Sequence, residues 1–187
     1  DPSPTPATPT LTPTWTRTPT ETPVPTTDPG IALGEALDNT ALYFYTNGNT
    51  VCFSESATFA CGGDAVETGD INNYEASYVK SVVEGPGTLS FQWKVSSEDG
   101  YDYLKFYVDG VRALSITGEV DWRTETVTLD AGQHMVVWSY EKDPATSAGS
   151  DSGWIDCVSF TPLAAIPTAT PTPDGSLQEA VDNYALP

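Results

Sequence analysis

A chain of 187 residues has room for one domain of ordinary size plus extensions and is short for two. Its 26 Asp and Glu against 7 Lys and Arg, a formal charge of −19, offer no basic stripe for phosphates, so nucleic acid is a poor partner and an anionic membrane surface equally so. No apolar run approaches the roughly 18 residues of a spanning helix, so no membrane insertion is expected, and the acidity reads either as solubility in an extracellular medium or as capacity for calcium.

The chain opens on Asp1 without a visible signal peptide, which a cleaved signal or an excised fragment would explain. Residues 1–29 form a Thr/Pro-rich stalk, with eight prolines and eleven threonines in the first 27 positions. Proline locks φ and holds such a segment near polyproline II, so the arm can reach roughly 85 Å at about 3.1 Å per residue. It reads either as a plain linker or as an O-glycosylated stalk, with sugar concentrated on residues such as Thr10, Thr12, Thr14, Thr16 and Thr18. There is no N-x-[ST] sequon in the chain.

Of 16 prolines only Pro86 and Pro144 fall between Gly30 and Thr161, which marks residues 30–163 as the part able to bury a core. IALGEALDN, from Ile31, is the only stretch there with a trace of helical periodicity. Strands are then expected at TALYFYT, TVCFS, ASYVKSVVE, TLSFQWKV, YDYLKFYV, VRALSI, DWRTETVTL, QHMVVWSYE and GWIDCVSF. In TLSFQWKV, Leu89, Phe91, Trp93 and Val95 alternate with Ser90, Gln92 and Lys94, the period-2 mark of a strand with one buried face. Asp109-Gly110 supplies a tight hairpin turn, and GPG at 85–87 and DAGQ at 130–133 punctuate the pattern. About eight or nine strands at this spacing predict an all-β fold, two packed antiparallel sheets of jelly-roll type.

Candidate chemistry is sparse. His134 is the only histidine and sits on a strand without a nucleophile elbow, so it reads as structural and no enzyme activity is expected. Tyr101, Tyr103 and Tyr107 alternate against Leu104 and Phe106, a row that could stack on sugar rings if it is not taken up in packing. Strict alternation through GWIDCVSF puts Asp156 on one face with Trp154, Val158 and Phe160. A carboxylate there needs backbone N–H donors or a cation, and calcium, with Asp38, Glu35, Asp64 or Asp151 completing its shell, is the cation to expect. Cys52 and Cys61 are close enough to close a short loop, which predicts a Cys52–Cys61 disulfide with Cys157 left over; free buried thiols are the alternative.

A second Thr/Pro stretch occupies 164–175, and 176–187 then reads as the start of a second repeat or an exchanged segment. LQEAVDNYALP from Leu177 repeats LGEALDNTALY from Leu33 with seven identities in eleven positions. Leu177, Ala180, Val181, Ala185 and Leu186 are the apolar positions that would link subunits if the segment filled the equivalent place in a neighbour.

The order GPGTLSFQWKVSSE, YDYLKFYVDG, ITGEVDW, AGQHMVVWSYEKD and GSDSGWIDCVSF resembles a jelly-roll module repeated in large bacterial secreted and surface proteins, and more distantly the MAM domain, over residues 31–161. The resemblance implies the fold and an extracellular or cell-surface setting, with non-cysteine residues expected where this chain has Cys52, Cys61 and Cys157. Two functions follow as expectations. One is a structural or adhesive repeat module of a fibre or surface protein, linked to copies of itself through its terminal segments. The alternative is a carbohydrate-binding module of a secreted multidomain protein, with a glycan as partner.

Overall fold

The computed structural model describes residues 29–163. The arm ahead of Pro29, the linker and the repeated segment lie outside the described residues, and with them the candidate glycosylation threonines and the five linkage positions. Within them the order is α1 (Pro29–Ala36), β1 (Phe44–Gly48), β2 (Phe53–Glu55), β3 (Ala65–Glu67), β4 (Ala76–Ser96), β5 (Tyr103–Val108), β6 (Val111–Thr117), β7 (Glu119–Glu141) and β8 (Ser152–Pro162). All strand pairings are antiparallel, in the order β2-β3-β8-β4-β7-β5-β6 with β1 also on β4.

Two pairs of expected strands are each one long strand. ASYVKSVVE and TLSFQWKV join through Gly85-Pro86-Gly87 into β4, and DWRTETVTL and QHMVVWSYE join through Asp130–Gln133 into β7. The glycines bend the strands rather than ending them. The β4–β7 ladder shifts register between Gly85 and Gly87, and Gly85 opposes Gly132. A Cβ on Gly85 would lie 2.0 Å from the Asp130 carbonyl oxygen, so the two strands approach here as only glycine permits.

Because β4 and β7 bend together, one hydrogen-bonded sheet folds over itself into two layers. The first halves of β4 and last halves of β7 run with β1, β5 and β6; their other halves run with β8, β3 and β2. The alternation expected of TLSFQWKV holds, with Leu89, Phe91, Trp93 and Val95 all buried. Phe91 of one layer meets Phe106 and Trp138 of the other at ring-centroid distances of 4.8 and 5.2 Å, so the layers interdigitate through aromatic groups. Truncating a fully buried aromatic of this kind costs about 3–5 kcal/mol.

The helical trace in IALGEALDN is α1, which packs against β1, β2 and β3 through the buried Leu33, Ala36 and Leu37. Its end is closed by Asp38 at φ 55°, with Asp38 N–H donating to Glu35 O and Asn39 N–H to Gly34 O. The helix end is then fastened to β8. Val158 N–H donates to Leu37 O at 2.9 Å, and the Asn39 amide donates to Val158 O at 3.2 Å.

Candidate functional site

The outer face of the layer β1-β4-β7-β5-β6 carries the polar aromatic groups. Register places Tyr45 beside Lys80, Lys80 beside Val137 and Val137 beside Tyr107, with Asn47, Tyr78, Ser139 and Lys105 forming the adjoining row. Their neighbours along each strand, Phe44, Val79, Trp138 and Phe106, point into the core, so the face follows directly from strand alternation.

The two ends of this face differ. At the β5 end, Lys105 Nζ lies 2.5 Å from Glu141, Tyr107 OH donates to Glu141 at 2.9 Å, and Ser139 donates to the same carboxylate at 2.9 Å. Burial tends to raise the Glu141 carboxyl, but the bonds from Lys105, Tyr107 and Ser139 outweigh it and hold it below its usual range. Burial, and then the bond to Glu141, pushes the Tyr107 phenol up to about 12. Tyr103 OH donates to Gly100 O, and Lys105 lies 5.3 Å from the Tyr103 ring centroid. Tyr103 and Tyr107 thus share the face but are half-buried and already engaged. Tyr101, expected in the same row, sits in the turn before β5, where it is exposed.

The β1 end is open. Tyr43 and Tyr45 meet edge to face at 4.7 Å, and each is about half exposed, at 45% and 53%. They wall a cleft of about 540 Å³ completed by Leu33, Val51, Cys52 and Phe53. Tyr45 also borders a hollow of about 440 Å³ on its other side, lined by Thr46, Asn47, Lys80, Val82 and Met135. Lys80 reaches over Tyr78, 5.5 Å from its ring centroid. The sequence reading missed this pair although its signal lies in LYFY, where Tyr43 and Tyr45 flank the core residue Phe44 at period 2.

Around Asp156 the structure corrects two expectations. Strict alternation along β8 fails because the β4–β8 ladder shifts register between Ser90 and Gln92, with Cys157 at φ 50°. This is a β-bulge, which reverses the facing of everything beyond it. Asp156 pairs with Gln92 and Ile155 with the core residue Trp93; Leu89 faces Phe160. Asp156 therefore does not share the core-ward face of Val158 and Phe160. It is fully buried from the other side, under the loop between β2 and β3, and accepts N–H bonds from Ala60 at 2.7 Å, Cys61 at 2.9 Å and Cys157 at 2.6 Å. The backbone-donor alternative is thus what the geometry supplies at Asp156.

The second correction is the disulfide. Cys61 is bonded to Cys157, with Cα atoms 6.1 Å apart, and Cys52 is a free, buried thiol in the core that burial pushes above its usual range. The cause is pairing of β3 with β8: Val66 opposes Ile155, which carries the preceding loop to the level of residue 157. Cys52 instead points beneath the cleft, its N–H donating to Thr46 Oγ1.

Of the carboxylates expected to join Asp156, the structure brings up Asp38. Burial first, then the charges of Asp156 and Asp64, push the Asp38 carboxyl above its usual range. Since the cysteines beside them are bonded to each other, two carboxylates, and no thiolate, face any ion there. Asp151 belongs elsewhere, paired with Lys142 and accepting from Tyr140 OH at 2.9 Å.

His134 bridges two acceptors, with Nδ1 2.7 Å from Asp109 Oδ2 and Nε2 3.1 Å from Asp130 O. Both ring nitrogens must donate, which favours imidazolium, and its pKa is raised first by the bond to Asp109. The ring pins the β5–β6 turn to the bend of β7.

No family profile and no curated protein matches this sequence. Solved structures do. The secreted serine protease VesC from Vibrio cholerae is 16% identical, with TM-score 0.55, over 72% of this chain and 27% of that one, so the likeness spans about a quarter of the protease. TmCBM61, solved with β-1,4-galactotriose, is 18% identical, with TM-score 0.45, over 72% of this chain and 95% of that one. The K3 cleaved adhesin domain of Lys-gingipain from Porphyromonas gingivalis is 16% identical, with TM-score 0.42, over 54% and 75%. At these identities the likeness bears on the fold alone, and the fold is an antiparallel β-sandwich.

Proposed function

We propose that this chain is a non-catalytic module of an extracellular protein that binds carbohydrate at the β1 end of its outer sheet face. The observation that carries the reading is the half-exposed Tyr43–Tyr45 pair at the mouth of the 540 Å³ cleft, with Lys80 and Asn47 alongside. A pyranose ring has apolar C–H faces and a rim of hydroxyls, so it fits an aromatic wall flanked by an amine and an amide. The acidic surface suits an uncharged or cationic glycan better than a polyanionic one.

The test is a glycan screen and a pull-down on insoluble polysaccharides with the full chain. Tyr45→Ala should weaken binding at least tenfold with an unchanged Tm. Tyr101→Ala, in the turn away from the cleft, should bind as the parent does. Indifference of the parent to every glycan, or equal losses from both variants, would sink the reading.

A second reading, linkage between modules through the C-terminal segment, is favoured by the roles its matching residues have in the first copy. Leu177, Ala180 and Val181 correspond to Leu33, Ala36 and Leu37, all buried in the core. Leu186 corresponds to Leu42, which packs against that core, and Ala185 to Ala41, whose N–H donates to Asn39 Oδ1. Asn183 corresponds to Asn39, whose amide fastens the helix end to β8. The copied residues are thus those by which α1 docks, which supports a segment that occupies the α1 place of a following or neighbouring module.

A further inference from the structure

At the end of the sandwich where the β4–β5 turn meets the β7–β8 loop, three carboxylates converge. One oxygen each from Glu98, Asp102 and Asp143 lies within 4.8 Å of the others. Asp102 is fully buried; its Oδ1 accepts the Asp143 N–H at 2.8 Å, and its Oδ2 is buried without a hydrogen-bond partner among the described residues. Glu98 Oε2 is likewise buried and unpartnered. Two orphaned carboxylate oxygens in one cluster are costly, because each has lost water and gained no donor. The charge of Lys142 favours an ionised Asp102, but the hydrogen bonds of its Nζ go to Ser147 and Asp151.

We propose that Glu98, Asp102 and Asp143 hold a calcium ion that ties the β4–β5 turn to the β7–β8 loop. The donors are all hard oxygens, as calcium prefers. Oxygens bound to one calcium at about 2.4 Å stand at most about 4.8 Å apart, a limit within which these three lie. The site is separate from the Asp38–Asp156 pair at the disulfide. The competitor for the same place is a proton, since burial pushes the Asp102 carboxyl above its usual range and makes its neutral form the other way to remove the charge.

The experiment titrates calcium chloride into the full chain after chelator treatment, by calorimetry and by thermal melts at pH 7. Calcium at a hundred times its Kd should raise Tm by roughly 10 °C. Asp102→Asn and Glu98→Gln should each weaken this binding at least tenfold, whereas Asp38→Asn should leave it intact. In chelator Asp102→Asn should melt no lower than the parent, because it removes a buried charge that has no ion. Three results would overturn the proposal: no calcium binding by the parent at millimolar concentration, parent-like binding by both Asp102→Asn and Glu98→Gln, or an Asp102→Asn melt lowered equally in calcium and in chelator. If Asp102→Asn fails to fold, Glu98→Gln and Asp143→Asn decide the matter by the same binding measurement.

Discussion

Single residues set the pH response of this domain through two pairs, and in both the contribution to stability is lost as pH rises. The folded-state pKa of Asp38 is raised above its ordinary value, by burial and by the charges of Asp156 and Asp64. Its contribution to stability is therefore complete below the ordinary aspartate pKa and is lost as pH rises through the folded value. Asp38→Asn should raise Tm at pH 7 in chelator, and the gain should vanish toward acid pH; asparagine also tolerates the left-handed conformation of this position. A calcium-dependent stability lost in Asp38→Asn would instead mean that an ion bridges Asp38 and Asp156. His134 is also raised, by its bond to Asp109, so its contribution is complete below the ordinary histidine pKa and is lost as pH climbs through the folded one. His134→Asn should melt lower than the parent at pH 6 and approach it in mildly alkaline buffer. A difference independent of pH would show that the ring acts by packing alone. The sequence reading of His134 as structural agrees with its partners, but nothing local announced Asp109, which is 25 positions away and reaches it across the sheet.

Among the elements, the loop between β2 and β3 depends on a covalent tie. Cys61 and Cys157 are 96 positions apart, and a link closing a loop of that length stabilises by up to about 4–5 kcal/mol in the chain-entropy model. Cys61→Ser should therefore lower stability by several kcal/mol, read as an earlier denaturant midpoint, while the parent digested without reductant should yield a peptide joining residues 61 and 157. Cys52 should alkylate only after unfolding. A joined Cys52–Cys61 peptide would refute the pairing. Proximity in sequence pointed to Cys52 because spacing is all that a linear reading can weigh. The pairing of β3, only three residues long, with β8 decided otherwise. So short a strand has too few positions to show a period.

For the whole molecule, glycan binding and module linkage separate by truncation. Deleting residues 175–187 should leave the monomer folded and its sugar affinity unchanged, while any self-association of the full chain should disappear. Assemblies of full length from the truncated chain, seen by light scattering or electron microscopy, would end the linkage reading without touching the binding one. Conversely, Tyr45→Ala should leave assembly intact.

Strand alternation made much of this fold legible in advance. Leu89, Phe91, Trp93 and Val95 face inward, and Tyr103 and Tyr107 outward, because the backbone period of two is a local property that each segment carries by itself. The same local logic marks α1 through its apolar spacing and identifies the repeat at 177–187. Tertiary structure alone decided the rest. It made the glycine-rich punctuation at 85–87 and 130–133 into bends that carry β4 and β7 through both layers, and it placed a bulge at Cys157 that turned Asp156 away from Val158 and Phe160. It also chose Cys157 for Cys61 and gathered Glu98, Asp102 and Asp143 from two loops. Each of these depends on the register between strands far apart in the chain, and register is settled by which faces the assembled sheets can bury together.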